Sequence, residues 1–186
     1  GGIVNVVSKQ PQKTPAKEIE LQLGSHSRRQ LAADFTGPLN ADQTLLYRLV
    51  ALGRKSNTQV DYVNDDALAL MPSVTWQPHA DTRVTATFLH QQNDTKVSSQ
   101  FLPYQGTLGA APLGTIPSNR FAGEPNWDRY EMRKNELSLA WDQRLAASWK
   151  LAGALRKTQS SSITREIYTS VGPIPTAAGN IARTVH

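Results

Sequence analysis

Few residues of this 186-residue chain stand at spacings that could do chemistry. His26, His79, His90 and His186 fall in separate stretches, none at a ligand spacing from another. There is no cysteine, which removes a disulfide framework, a thiolate metal site and a cysteine nucleophile together. Asp65-Asp66 reads as a solvated pair in a loop before a strand rather than an acid/base dyad. The glycines from Gly106 to Gly114 neither follow a strand nor open a helix, so a phosphate cradle fails. Asn93-Asp94-Thr95 matches the glycosylation triplet without further support. No Ser/His/Asp set has a nucleophile turn, and the chain reads as a non-enzyme with no cofactor and no protein-held metal. What remains is binding. Phe101-Leu102-Pro103-Tyr104 sets two aromatics around a proline in a long polar stretch. Aromatic faces held on a stiff loop pack against a ligand at low entropic cost. Tyr168, in the last polar stretch, could play the same part.

The elements that must position these residues are strands. Hydrophobic residues make up 39% of the chain. Its mean hydropathy is −0.44, and no window holds the roughly 18 apolar residues of a membrane helix. That composition looks water-soluble, yet barrel strands turn only every second side chain to lipid and score weakly on hydropathy. The net charge is +5, with basic residues scattered and paired only at Arg28-Arg29, Arg54-Lys55, Arg133-Lys134 and Arg156-Lys157. Solvated or lumen-facing charge explains that better than nucleic acid, which is not expected as a partner. No signal peptide or initiator Met is present. The chain opens on Gly1-Gly2-Ile3-Val4-Asn5-Val6-Val7, read as an apolar strand already under way, and is expected to be a piece of a longer protein.

Period-2 alternation recurs between Gly, Pro, Asn and Asp clusters. Ile19, Leu21 and Leu23 alternate with Glu18, Glu20 and Gln22 before a tight turn at Gly24-Ser25-His26-Ser27. Leu31, Ala33 and Phe35 lead to a second turn over Gly37 to Asp42. A third strand is expected from about Thr44 to Lys55, and a fourth from Leu68 to Trp76, weakened by Pro72. After a turn over Pro78 to Asp81, Val84, Ala86 and Phe88 form a fifth. An irregular stretch follows from about Asn93 to Trp127, long enough to be functional rather than connective. Leu137, Leu139 and Trp141 mark a sixth strand, Asp142 to Ser148 a turn, and Trp149, Leu151, Gly153 and Leu155 a seventh. The remainder from Lys157 reads as a polar loop.

Two regularities set the fold class. Connections near Leu39, Ala80 and Ala146 are short, and those near Val60, Phe101 and beyond Lys157 are longer, with only the one at Ser25 short on the long side. Trp76, Trp141 and Trp149 share the apolar parity beside short turns, with Tyr47 near one, as an interfacial ring would. Both point to an all-β, antiparallel up-and-down transmembrane β-barrel, of which roughly seven strands are here. A soluble β-sandwich also alternates, but its strands are shorter. A passive porin- or adhesin-type barrel and a soluble β-sheet ligand-binding protein stay open as alternatives.

Beyond these patterns, Gly1 to Lys9 resembles the segment that ends the plug of TonB-dependent siderophore receptors. Tyr47-Arg48-Leu49-Val50 and Pro72-Ser73-Val74-Thr75-Trp76-Gln77-Pro78 resemble their early barrel strands. Phe101-Leu102-Pro103, Gly106-Thr107, Ile116-Pro117, Phe121 and Gly123-Glu124-Pro125-Asn126-Trp127-Asp128 resemble a long outer loop of the ferrichrome-receptor type. The resemblance implies a barrel of about 22 strands with a plugged lumen. Residues 1–15 would close the plug and 16–186 begin the barrel. It implies the outer membrane of a Gram-negative bacterium, with lipid and lipopolysaccharide around the barrel. Capture of a ferric siderophore, of hydroxamate type, would be followed by release driven through TonB. Iron would be carried within the siderophore. In the resembling loop an aromatic before Leu-Pro contacts ligand, which is Phe101 here; a tyrosine two residues earlier is replaced by Ser99.

Overall fold

The computed structural model describes residues 1–4, 7–97, 101–169 and 182–185, and Ser99 and His186 lie outside them. Seven strands form one antiparallel sheet in chain order. They are β1 (Ala16–Gly24), β2 (Arg28–Pro38), β3 (Leu45–Lys55), β4 (Asp65–His79), β5 (Thr82–Thr95), β6 (Arg129–Ala146) and β7 (Trp149–Arg165). They run from 9 to 18 residues, all of them beyond the roughly 5–6 of an ordinary globular strand. A smaller sheet pairs β8 (Ile167–Thr169) with β9 (Arg183–Val185). The up-and-down sheet of long strands is the expected partial barrel.

Turn chemistry sets the register. Between β1 and β2, His26 and Ser27 both take positive φ, 56° and 57°, and Arg28 N–H donates to the Ser25 carbonyl at 3.2 Å. That is the mirror-image turn that matches strand twist. Between β2 and β3, Asn40 Oδ1 accepts Leu45 N–H at 2.9 Å and Asn40 Nδ2 donates to Thr44 Oγ1 at 2.8 Å, an Asn doing the work of a backbone turn. Residues 80–81 and 147–148 close the hairpins β4–β5 and β6–β7 at that same end. At the opposite end lie residues 25–27, 56–64, 96–97 and 101–128. The rhythm of short and long connections is as expected, including the short turn at Ser25.

Several boundaries differ from the sequence reading. Gly1–Val4 form no strand, and Asn5 and Val6 lie outside the described residues. Gly37 and Pro38 continue β2, and β6 runs on to Ala146 rather than turning at Asp142. Asp65-Asp66 begin β4 instead of preceding it, and Asp65 pairs with Arg54 at 2.6 Å. β5 reaches Thr95, and β7 continues through Lys157 to Arg165. The added stretches of β5 and β7 are mostly polar, so no sustained alternation marks them; the ladder to the neighbouring strand holds them instead. Pro72 sits inside β4, where pairing to β3 continues through Leu49 while the pairs with β5 skip Met71 and Pro72. Its missing N–H falls in this gap, and the β4–β5 ladder resumes at Ser73 in the same register.

Register sorts side chains onto two faces. Directly paired residues share a face, so Leu45, Trp76, Val84, Trp141 and Gly153 lie in one row. Tyr47, Val74, Ala86, Leu139 and Leu155 lie in the next. Gly153 is small because its cross-strand partner needs the space: a Cβ there would overlap the Trp141 ring. The opposite face carries the row Thr36, Arg48, Ser73, Thr87, Ser138 and Arg156.

The burial of these faces is inverted relative to a water-soluble protein. Thr75 is 0% exposed, Thr36 2% and Ser73 3%, whereas Trp76 is 51% exposed and Leu155 67%. Water would reverse that order. Leucine and tryptophan facing outward across seven strands fit hydrocarbon and its interface.

Candidate ligand-binding loops and the inner face

The residues before β1 lie along the polar face. Lys9 Nζ donates to Asp34 Oδ2 at 2.6 Å, and Gln12 N–H to Thr36 Oγ1 at 3.0 Å. Arg48 grips Asp34 with two parallel bonds, Nε to Oδ1 at 2.8 Å and Nη2 to Oδ2 at 2.7 Å, and its Nη1 donates to the Gln10 carbonyl at 2.9 Å. The Asp34 and Arg48 side chains are only 10% and 12% exposed. A fork-to-fork pair so enclosed is fixed in geometry as well as charge. Farther along, Val7, Ser8 and Gln10 line a cavity of about 310 Å³ with Thr85, Thr87 and Ser138. Next to it Glu136 accepts from Lys134 at 2.9 Å and Thr158 Oγ1 at 3.1 Å, and faces Arg156 at 3.3 Å. The polar face thus has a chain segment against it and charges turned toward it.

The aromatic candidates lie at the other location, the long-loop end. Phe101 and Tyr168, 67 positions apart in sequence, meet edge-to-face with ring centroids 5.3 Å apart. Phe101 is 52% exposed, so a flank of the pair is open. Tyr104 does not join them. Its ring covers Gly109, where a Cβ would collide with it, and its carbonyl accepts N–H groups from Thr107, Leu108 and Gly109. That residue organises a loop turn and stays 64% exposed.

Several residues that hold this end together had no role assigned in the sequence reading. Phe121 is buried and tilts against Tyr62 at 6.4 Å. Asn119 bonds Asp61 by backbone and side chain, tying residues 101–128 to residues 56–64. Arg165 stacks over Trp127 at 5.2 Å. Asp128 is buried between the loop and β8. A cavity of about 380 Å³ opens between the loop and the small sheet, lined by Leu102, Pro103, Ile116, Phe121 and Thr169, with Arg120 and Arg183 beside them. No sequence signal connects such pairs, because each joins segments far apart in the chain; only the Gly123 to Asp128 run was noticeable. Among the described residues no group of three or more His, Asp or Glu could hold a metal.

No family model matches the chain. It is 30% identical over 169 residues to the ferrioxamine B receptor of Salmonella typhimurium SL1344, covering 90% of this chain and 24% of that protein. It is 29% identical over 171 residues to the ferrichrome outer membrane transporter/phage receptor of Escherichia coli K12, covering 90% of this chain and 22% of that one. The chain is homologous to siderophore receptors. It spans about a quarter of the length of these curated relatives. Its fold matches the ferric-catecholate import receptor Fiu of Escherichia coli K12, open form, with a TM-score of 0.84 at 18% identity, over 96% of this chain and 29% of Fiu. The seven strands therefore share the fold of part of Fiu. The relatives are receptors and transporters, in agreement with a chain that is not an enzyme.

Proposed function

We propose that this chain is a stretch of an outer-membrane receptor and TonB-dependent transporter for a ferric siderophore of hydroxamate type, in a Gram-negative bacterium. In this reading residues 1–15 end the plug, and residues 16–186 begin the barrel. The observation that carries it is the pairing of two faces: leucines and tryptophans outward, and a chain segment tethered by Lys9, Gln10 and Gln12 to the polar face inward. A passive porin has no use for that tether. The names of two relatives, which take ferrioxamine B and ferrichrome, support the hydroxamate class. The loop end would receive the siderophore, with Phe101 and Tyr168 as an aromatic wall and Tyr104 at its rim. The siderophore's own oxygens would hold the iron. Outer-membrane lipid and lipopolysaccharide would surround the apolar face, and energy relayed by TonB would act on the plug.

Phe101→Ala in the full-length receptor tests the site. Affinity for ferric ferrioxamine B and ferrichrome is expected to fall about tenfold, the order of one lost aromatic contact. Equal affinity of variant and parent for both would remove Phe101 from the site.

A further inference from the structure

A buried carboxylate stands where the loop between β5 and β6 meets the chain beyond β7. Asp128 is 3% exposed. Its Oδ2 accepts Glu124 N–H at 2.6 Å, within the foot of the loop, and its Oδ1 accepts Ile167 N–H at 2.9 Å. Ile167 opens β8, and the next residue is Tyr168, whose ring meets Phe101. One buried side chain therefore bonds the loop that carries Phe101 to the strand that carries Tyr168. The approach depends on Gly123: a Cβ there would sit 2.8 Å from Asp128 Cγ and 2.7 Å from the Phe121 ring. From β9, Arg183 donates to the Gly123 carbonyl at 3.2 Å and pairs with Glu124 at 3.6 Å. Two N–H donors from separate segments, one per oxygen, call for a carboxylate, since an amide offers a single oxygen.

We propose that Asp128 is a positioning residue of the binding surface, one that sets Tyr168 against Phe101 before ligand arrives. It touches no ligand itself. Its effect comes through preorganisation: a wall already assembled spares the binding step the cost of ordering two loops. This rests on the reading of these loops as siderophore-binding, so the test needs one readout that does not involve a siderophore.

Asp128→Ala, Asp128→Asn and Gly123→Ala are made in the full-length receptor in detergent micelles. They are read by amide hydrogen exchange and by titration with ferric ferrioxamine B and ferrichrome. Asp128→Ala is expected to speed exchange at Glu124 and Ile167 at least about tenfold while amides within β5 and β6 keep their protection. Gly123→Ala should do the same, and Asp128→Asn should free only one of the two amides. Siderophore affinity should fall about tenfold in Asp128→Ala, and less than about threefold further when Phe101→Ala is already present, because both changes remove the same aromatic pair. Unaltered exchange at both amides, exchange rising throughout the sheet, or full additivity with Phe101→Ala would each overturn the proposal. A parent receptor that binds neither siderophore would instead sink the functional reading, and the exchange result alone would then decide the role of Asp128.

Discussion

The two faces of the seven-stranded sheet share one backbone ladder and obey opposite rules. On one, large apolar side chains are exposed: Leu70, Val74, Trp76, Leu139, Trp141 and Leu155. On the other, hydroxyls and charges are shielded, with Thr75 Oγ1 bonded to Thr85 Oγ1 at 2.8 Å and Arg48 clamped on Asp34. The ladder satisfies the backbone whatever the surroundings, so the side chains alone report which medium each face meets. A buried Thr row opposite an exposed Leu row is the signature of a sheet with its solvent outside and its polar filling inside.

Placing the same charge on both faces of the full-length barrel tests whether they meet different media. Leu139→Arg, on the apolar face, is expected to cost about 2–4 kcal/mol of folding stability in urea titration in lipid vesicles, as for a cation near the bilayer centre. Ala152→Arg, on the polar face opposite Asp142, should cost less than about 1 kcal/mol. Equal costs would mean that the faces do not see different media. Arg48→Ala sharpens the inner side. It leaves a shielded carboxylate with Lys9 alone and is expected to cost about 2 kcal/mol, below the full penalty of a buried pair because Lys9 is half-exposed. It should also open residues 9–12 to protease, and an unchanged cleavage pattern would show that the tether lies elsewhere. Below Arg48→Ala comes Gly153→Ala, where the new methyl must displace the Trp141 ring into lipid. About 1 kcal/mol is expected, with a shifted tryptophan emission; a silent substitution would show that the ring is not packed on the glycine.

The two ends of the strands show why part of this was legible in the sequence. Where a strand crosses between lipid and lumen, alternation is enforced, and Leu137, Leu139 and Trp141 announce it. Past that band both faces meet water. His90 bonds Asn135 across β5 and β6 at 2.8 Å, and Gln159 continues the row in β7, so from β5 onward the row is polar. A polar run such as Lys157 to Arg165 therefore reads as loop although the ladder makes it strand. The aromatic residues of the candidate site were visible as types in turn-rich stretches. That Phe101 would find Tyr168, and that Tyr104 would turn away to cover Gly109, was not, because both depend on where the loops are pinned.

The strand class, the faces of the alternating runs and the rhythm of short and long connections were readable from the chain, because these follow from period-two patterning and local turn chemistry. Tertiary structure alone decided the contacts between distant segments: Lys9 and Gln10 on Asp34 and Arg48, Asn119 on Asp61, and Asp128 between Glu124 and Ile167. Each of those bonds closes a long stretch of chain, and nothing local in either partner specifies the other.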